Sequence, residues 1–588
     1  MRLQSLCSAG LSILLSISRA TAFNPPAAGV ETWCGKAYMK QNAAVDPGGQ
    51  FQFPVRRESA MLYLKVQPRY SIFLESDQSG EFIVDATLSH YFGQPYAPPK
   101  DRTSGSEPLT KLKFDIFSDE SGALLASSSV PVNSSANIVG FSLSSFPPRL
   151  QPYAVSIRGA SPDGQQTYAA STELYVLPSR DFGSAVKIDN LFGGLYVQNA
   201  RNQWSGWYSI FPNGGYGDGK HLTPSDISFH NLQAYASEGF NTISIVPDQG
   251  LPDQTYPVAE FAQYWDKMDE LNLFNVYEFR FAFQNPARLS QQVEQWKNRT
   301  TLLMWYTADE PDGWSYPLDS TSRAYKQLRE LDPYHPVSLA LNCQNYHYAE
   351  YSSGADIIYE DAYPVGINPT WCSHWETPCN TTYGDCGCDN CVGKLTDVAT
   401  RLDDLQSYQD NIQGQGSKPT WAVIQAFADN PYWSNVPTAD EVENMMVLAV
   451  NHNAKGLTYW LYPSKPDINV RSGKLGQVFQ SEAVRGFLFG ANAVKPSVLG
   501  QPKVDVSAWI VDGKMLVAFA SENRDISTLV SFVLPAIATS VEVLYGASEW
   551  ILNGRLLHTM GMRPYEVGIL ILKLETLEEQ LSYAMEID

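Results

Sequence analysis

Positive charge is scarce in this chain, which has 41 lysines and arginines, 62 aspartates and glutamates, and a net charge of -21 at pH 7. Such a surface repels the phosphates of nucleic acids and of anionic lipids, so we expect no nucleic acid and no membrane among its partners. The H-E-x-x-H, G-x-S-x-G and Walker motifs are absent, and none of the eight histidines has the spacing of a metal site. We therefore expect no metal and no cofactor.

Long apolar runs are also missing, because no segment reaches the ~20 apolar residues of a membrane-spanning helix. Residues 1–22 instead predict a secretory signal peptide, with Arg2 before a short apolar stretch and an A-x-A cleavage site at residues 20–22. We expect the mature chain to begin at Phe23 and to be secreted, because the polar C-terminus carries no lipid-anchor signal. Three N-glycosylation sequons agree with an extracellular protein: those at Asn133, Asn298 and Asn380.

Cysteine is used sparingly and unevenly. Cys7 is removed with the signal peptide, and five of the other seven cysteines crowd into a short segment that we place in an insertion at residues 369–393. In a secreted chain this pattern predicts disulfides rather than zinc, and an odd number leaves one thiol over. The cysteines of the mature chain are Cys34, Cys343, Cys372, Cys379, Cys386, Cys388 and Cys391.

The length of 588 residues exceeds the ~250–300 at which a single hydrophobic core stops growing, so several domains are expected. Short alternating runs separated by Gly, Pro, Ser and Asp predict a β-sandwich over residues 23–185. Similar runs predict a smaller β-domain over residues 496–588. Between these two regions the pattern changes from strands alone to strands that alternate with helices.

Residues 186–495 alternate strands with helices, the pattern of a parallel α/β domain. Eight such units in about 300 residues predict an α/β fold of the (β/α)8 TIM-barrel class, which places functional residues at the carboxyl ends of the strands. The eight predicted strands are 192–198, 240–248, 273–281, 301–311, 337–342, 355–365, 419–427 and 455–463.

Four segments at the ends of predicted strands resemble those of a known family. The segments "WYTADEPDG", "IIYEDAYPV", "WAVIQAF" and "AKGLTYWLYP" resemble the TIM-barrel glycoside hydrolases, and the likeness covers roughly residues 187–490. In that family a Glu that closes strand four commonly serves as the general acid/base, which implies this role for Glu310. The large clan with two catalytic glutamates has its nucleophile at the end of strand seven, where this chain has Gln425. An amide cannot replace a carboxylate nucleophile.

Other barrel glycosidases draw both acids from strands four and six. That arrangement pairs Glu310 or Asp309 with Asp361 or Glu360. Two carboxyl groups suit the reaction, because one protonates the leaving oxygen while the other, ionised, attacks carbon or activates water. Neighbouring strand residues point to opposite sides, so we expect only one of the strand-six acids, Asp361 before Glu360, to face the site.

Aromatic side chains near the predicted strand ends favour a carbohydrate substrate, because sugar rings present C–H faces that pack on aromatic rings. We expect Gln425 to hydrogen-bond the substrate or a catalytic carboxylate. The predicted substrate-binding residues are Gln425, Trp460, Trp314, Trp433, Tyr363, Trp207 and Asp248.

A second hypothesis from a different class remains open. A non-catalytic carbohydrate-binding protein on the same barrel would have the same aromatic residues, with Gln425 marking a lost nucleophile. Only an enzyme needs two carboxylates within ~10 Å of each other in one pocket, whereas Glu310 in a buried salt bridge would favour a binding protein. We expect a monomer that binds carbohydrate.

Overall fold

The computed structural model describes residues 29–96, 109–161, 164–217, 222–225, 228–247, 256–414, 416–429, 431–500, 503–527 and 529–575. A closed barrel of eight parallel strands lies at its centre, with β-sheets on both sides along the chain. This architecture confirms the predicted fold class. The described part of the chain contains no helix long and apolar enough to cross a membrane.

The barrel strands, numbered one to eight in chain order, are Asn213–Gly217, Thr242–Ile245, Phe274–Glu278, Leu302–Asp309, Val337–Leu341, Ile357–Glu360, Thr420–Gln425 and Ala454–Tyr462. The helices of the barrel region are His230–Ser237, Val258–Leu271, Pro286–Trp296, Ser320–Leu331, Tyr348–Ser352, Thr396–Asp410, Ala439–Asn451, Pro466–Gln480 and Glu482–Leu488. Most strand residues are fully buried, because one face fills the barrel and the other packs under the helices.

The first barrel strand is not the predicted one. Residues Leu195–Asn199 form the middle strand of a three-stranded antiparallel sheet with Ser184–Ile188 and Tyr208–Ile210. Barrel strand one is Asn213–Gly217, whose sequence NGGYG lacks an apolar pattern. Its glycines allow close approach to strand two, since a Cβ at Gly214 would lie 1.8 Å from the Thr242 carbonyl oxygen. A strand built on such contacts gives no periodic signal.

That antiparallel sheet closes the amino-terminal end of the barrel. The Ser184 hydroxyl lies 2.9 Å from the carbonyl oxygen of Leu302, the first residue of strand four, and 3.0 Å from that of Arg299. The opposite end of the barrel, where the strands finish, is referred to below as the mouth.

Two sheets that share one apolar core form the predicted N-terminal sandwich. One has the strand order Gln94–Pro95, Met61–Pro68, Ser79–Ser89, Ser134–Ser142, and the other Thr167–Leu174, Tyr153–Ala160, Lys111–Ser118, Leu124–Pro131. A short parallel pair, Phe73–Leu74 with Val176–Leu177, and a 3-10 turn at Leu143–Ser145 complete this region.

The C-terminal region also has two sheets on one core. Their strand orders are Ser497–Leu499, Val530–Val533, Leu556–Thr559, Ile551–Asn553 and Val504–Val511, Lys514–Ser521, Val567–Leu574, Ala538–Tyr545. Elsewhere the chain has a 3-10 turn at Ala200–Asn202 and two small antiparallel pairs, Thr32–Trp33 with Lys36–Ala37 and Trp371–Cys372 with Thr377–Pro378.

Residues 29–51, the N-terminal arm, lie across the barrel mouth rather than in the sandwich. Gln50 forms a β-bridge with Tyr346 beyond strand five, and Ala37 forms one with Tyr383 of the Cys-rich insertion. The disulfide Cys34–Cys343 joins the arm to the end of strand five. Two further disulfides lie within the insertion and Cys372 is free: the pairs are Cys379–Cys386 and Cys388–Cys391.

His452 lies where the barrel contacts the C-terminal region, and we expect it to make the free energy of unfolding depend on pH. Burial lowers the pKa of His452, but hydrogen bonds to Asp403 and Asp505 outweigh burial and raise it to about 8. Because this exceeds the usual value near 6.5, the stabilisation is complete below pH ~6.5 and disappears as the pH rises through about 8.

We expect His452→Gln to lower the melting temperature at pH 6, with a loss on the order of 2 kcal/mol, and to have little effect at pH 9. Thermal unfolding of wild type and variant at pH 6, 7.5 and 9 measures this. His230→Gln, at an exposed histidine, is the control. A His452→Gln effect of equal size at all three pH values would contradict the prediction.

Candidate active site

Polar residues follow three neighbouring strands at the mouth of the barrel. Glu310, Asn342 and Asp361 are each the first residue after their strand, on strands four, five and six respectively. Because the carboxyl ends of parallel strands meet at one end of a barrel, these side chains converge.

Glu310 and Asp361 are hydrogen-bonded to each other through their carboxyl groups. The amide nitrogen Nδ2 of Asn342 donates to both, at 3.2 Å to Glu310 Oε1 and 3.4 Å to Asp361 Oδ1. We call Glu310 and Asp361 the carboxyl pair. Glu310 has a φ of 50°, a left-handed conformation that costs a non-glycine residue of order 1–3 kcal/mol and tends to occur at functional sites.

The surroundings give the two acids different affinities for a proton. Burial and the charges of Asp361 and Asp309 raise the pKa of Glu310 well above its ordinary range. Burial raises the pKa of Asp361 to about 6, while its hydrogen bonds with Glu310 and Asn342 limit the rise. When the carboxyl pair holds one proton, Glu310 therefore binds it more strongly than Asp361 does.

Asp309, the last residue of strand four, has other partners. Its carboxylate forms an ion pair with Arg280 at 2.7 Å and accepts a hydrogen bond from the Tyr306 hydroxyl at 2.9 Å. Arg280 also binds Glu278 at 2.5 Å. These contacts tie strand four to strand three and leave Asp309 as a fixed negative charge beside the carboxyl pair.

Neighbouring side chains of a strand point to opposite sides, so Glu360 points away from the carboxyl pair. It is fully buried, and its Oε2 accepts the backbone N–H of Ala362 at 2.9 Å. Burial raises its pKa well above the ordinary value. Of the two strand-six acids, Asp361 is the one in contact with Glu310.

The side-chain amide of Gln425 forms hydrogen bonds with the backbone at both of its ends. Its Oε1 accepts the Val365 N–H at 2.8 Å, and its Nε2 donates to the Val365 carbonyl at 2.9 Å. The side chain has no exposed surface. In this arrangement Gln425 fixes the loop after strand six, and neither end of the amide contacts the carboxyl pair.

Four of the predicted aromatic residues lie at strand ends or on the following loops at the barrel mouth. Tyr363 follows Asp361 by two residues, and its carbonyl accepts the indole N–H of Trp433 at 3.1 Å. The Trp460 ring lies 5.6 Å from the guanidinium of Arg280. Trp314, 40 % exposed, lies four residues beyond Glu310.

Trp207 is at the wrong end of the barrel for the predicted role. It precedes strand Tyr208–Ile210 of the sheet that closes the amino-terminal end, and its indole N–H donates to Asp77 of the sandwich at 3.2 Å. The prediction followed from placing barrel strand one at 192–198. Asp248 lies outside the described residues.

Two residues of the site were not predicted. Asn342 could have been found, because it directly follows strand five, as Glu310 and Asp361 directly follow strands four and six. Trp33 could not, because it reaches the mouth from the distant N-terminal arm and donates its indole N–H to Asn342 Oδ1 at 2.8 Å. Within the described ranges, no group of three or more His, Cys, Asp or Glu side chains is arranged to hold a metal ion.

No family model matches the sequence, and no curated protein matches it. Solved structures that align with the chain include a β-glucuronidase from Parabacteroides merdae, with 10% identity, 88% of this chain and 76% of the other covered, and a TM-score of 0.31. A putative β-galactosidase from Bacteroides fragilis aligns with 12% identity, 80% and 72% coverage, and a TM-score of 0.32. An α-amylase from Geobacillus thermoleovorans aligns with 8% identity, 62% and 97% coverage, and a TM-score of 0.42.

These neighbours are glycoside hydrolases, the class that the strand-end motifs resemble.

The position of Gln425 predicts the result of restoring a carboxylate there. In Gln425→Glu, the oxygen that replaces Nε2 would face the carbonyls of Val365 and Phe427 without a donor, so we expect a loss of ~1–3 kcal/mol of unfolding free energy. Urea unfolding at pH 7.5 measures it, with Gln291→Glu on an exposed helix face as the control. Unchanged stability together with a gain in hydrolytic activity would instead identify position 425 as a lost nucleophile.

Proposed function

We propose that this protein is a secreted glycoside hydrolase that cleaves O-glycosidic bonds of a poly- or oligosaccharide with the carboxyl pair Glu310 and Asp361. The observation that carries the proposal is the meeting of these two acids at the barrel mouth, where Asn342 Nδ2 lies 3.2 Å from Glu310 and 3.4 Å from Asp361 and the two carboxyl groups share one proton. A structural ion pair would not explain them, because within the described residues neither acid forms a salt bridge and the nearby Arg280 binds Asp309 instead.

In this mechanism Glu310 is the general acid. Its raised pKa keeps it protonated at neutral pH, so it can donate a proton to the glycosidic oxygen as the bond to carbon breaks. Glu310 has a left-handed backbone, and its side chain reaches Asp361 at the end of strand six, two strands away.

Asp361 is the ionised partner. It attacks the anomeric carbon, and water later hydrolyses the glycosyl ester with Glu310 acting as base. Asn342 donates to both acids and so favours the ionised form of Asp361. Asp309, held in place by Arg280, contributes through its negative charge to the raised pKa of Glu310 without transferring a proton itself.

The substrate class follows from the aromatic surroundings. Tyr363, Trp433, Trp460 and the exposed Trp314 present ring faces and edges next to polar groups, which is the combination that sugar rings require. Secretion is supported by the signal-like sequence at residues 1–22 and by three disulfides, one of which joins the arm to the barrel.

Removing either acid should abolish hydrolysis while leaving the fold intact. We expect Glu310→Gln and Asp361→Asn each to lower activity by ~10²-fold or more, because each keeps the shape and removes the proton transfer or the charge. Release of reducing sugar from a broad panel of polysaccharides and oligosaccharides is the measurement. Glu330→Gln, on an exposed helix position, is the control.

The outcomes separate the hypotheses. Release by wild type and collapse in both variants would support the mechanism and identify the substrate. Equal release by wild type and Glu310→Gln would remove Glu310 from it. Binding of a glycan in affinity electrophoresis without hydrolysis would favour the non-catalytic carbohydrate-binding protein.

The contact of the two acids also predicts the stereochemical outcome. Retaining enzymes hold their carboxyl groups ~5–5.5 Å apart and inverting enzymes ~6.5–9.5 Å, which leaves room for a water. A pair in contact is nearer the shorter spacing, so we expect retention of anomeric configuration. Proton NMR of the anomeric signal in the first minutes of hydrolysis distinguishes the two, and an inverted first product would exclude Asp361 as the nucleophile.

A further inference from the structure

The N-terminal arm is attached to the barrel mouth at several points. Lys36 forms an ion pair with Asp389 of the Cys-rich insertion at 2.5 Å, and both side chains are nearly fully buried. The backbone N–H of His347, beyond strand five, donates to the Gly49 carbonyl at 2.7 Å. The disulfide Cys34–Cys343 lies between these contacts. The arm is therefore a fixed part of the mouth.

Within the arm, Trp33 contacts the residue that organises the carboxyl pair. Its indole N–H donates to Asn342 Oδ1 at 2.8 Å, while Asn342 Nδ2 donates to Glu310 and Asp361. An indole nitrogen is a donor only, so Asn342 must present its oxygen to Trp33. The NH2 group is thereby directed at the two acids, and the flipped amide would set its oxygen against both carboxyl groups.

The backbone of Asn342 is held separately. Its N–H donates to Asp312 Oδ1 at 3.3 Å, and its carbonyl accepts from Arg401 at 2.6 Å. Both of these partners are buried. The remaining freedom of Asn342 is the orientation of its side-chain amide, and Trp33 is the group that selects it.

Trp33 is itself confined. Its ring packs edge-on against Trp314, with 5.1 Å between centroids. A Cβ on Gly313 would lie 2.5 Å from a carbon of the Trp33 ring, so any side chain at this position would have to displace the ring. Cys34, the next residue, is covalently bound to Cys343, which follows Asn342.

We propose that Trp33 is a positioning residue for the carboxyl pair, which it serves by fixing the amide of Asn342, and that the Cys34–Cys343 disulfide holds Trp33 in place. The kinetic part of this inference rests on the proposed function of the pair. Asn342 donates a hydrogen bond that lowers the pKa of Asp361. Loss of that bond raises the pKa of Asp361. The acid limb of the pH–rate profile therefore moves to higher pH.

The first test is Trp33→Phe, which keeps an aromatic ring against Trp314 and removes the N–H. We expect kcat to fall about tenfold, equivalent to ~1.4 kcal/mol, with KM nearly unchanged. The acid limb of kcat/KM should move up by about one pH unit. Trp550→Phe, a half-buried tryptophan packed on Phe519 and Phe532 in the C-terminal region, is the matched control.

A second variant displaces Trp33 without changing it. Gly313→Ala places a methyl group against the ring, and the φ of Gly313 is not in the left-handed region, so the backbone accepts alanine. We expect the same upward shift of the acid limb. The Cys34→Ser/Cys343→Ser double variant should shift it too, and adding Trp33→Phe should then have little further effect.

The test also separates this inference from the proposed function. Infrared titration of the protonated carboxyl bands, assigned with Asp361→Asn, follows Asp361 without any substrate. An upward shift of its titration in Trp33→Phe supports the positioning role even if wild type hydrolyses nothing. Unchanged titration of Asp361 in a folded Trp33→Phe variant would overturn it, whatever the activity of the wild type.

Discussion

Two acids in contact at the barrel mouth are the constraint on which the rest of the site depends. Buried carboxyl groups cannot both be ionised at hydrogen-bonding distance, so one proton must be shared and a donor must face the remaining charge. Asn342 supplies that donor. Its backbone is held by Asp312 and Arg401, and its side chain by Trp33. The division between an acid and an ionised partner follows from this arrangement.

The barrel provides the positions and the added segments provide the surroundings. Strands four, five and six bring Glu310, Asn342 and Asp361 to one edge because the carboxyl ends of parallel strands meet there. The N-terminal arm closes one side of this edge through Trp33. At the opposite end of the barrel, a three-stranded antiparallel sheet packs under strand four and separates the sandwich from the site.

The sequence predicted the seven barrel strands that have an apolar pattern, and the acids at their ends followed from the fold. Strand one was misplaced because Asn213–Gly217 is held by close backbone approach rather than by apolar side chains, and Trp207 was assigned to the mouth as a consequence. Gln425 was expected to hydrogen-bond the substrate or a catalytic carboxylate, yet its amide holds the Val365 backbone, a loop contact that no strand pattern contains.

What the sequence determined by itself was the barrel and the identity of the residues at its strand ends, because both depend on local periodicity. Tertiary structure alone decided which acids touch, and that Asp309 has Arg280 as its partner. It also brought Trp33 to Asn342 and joined Cys34 to Cys343 across a separation of 309 residues. Such pairings depend on where the folded chain returns in space, and residues far apart in sequence carry no local signal of it.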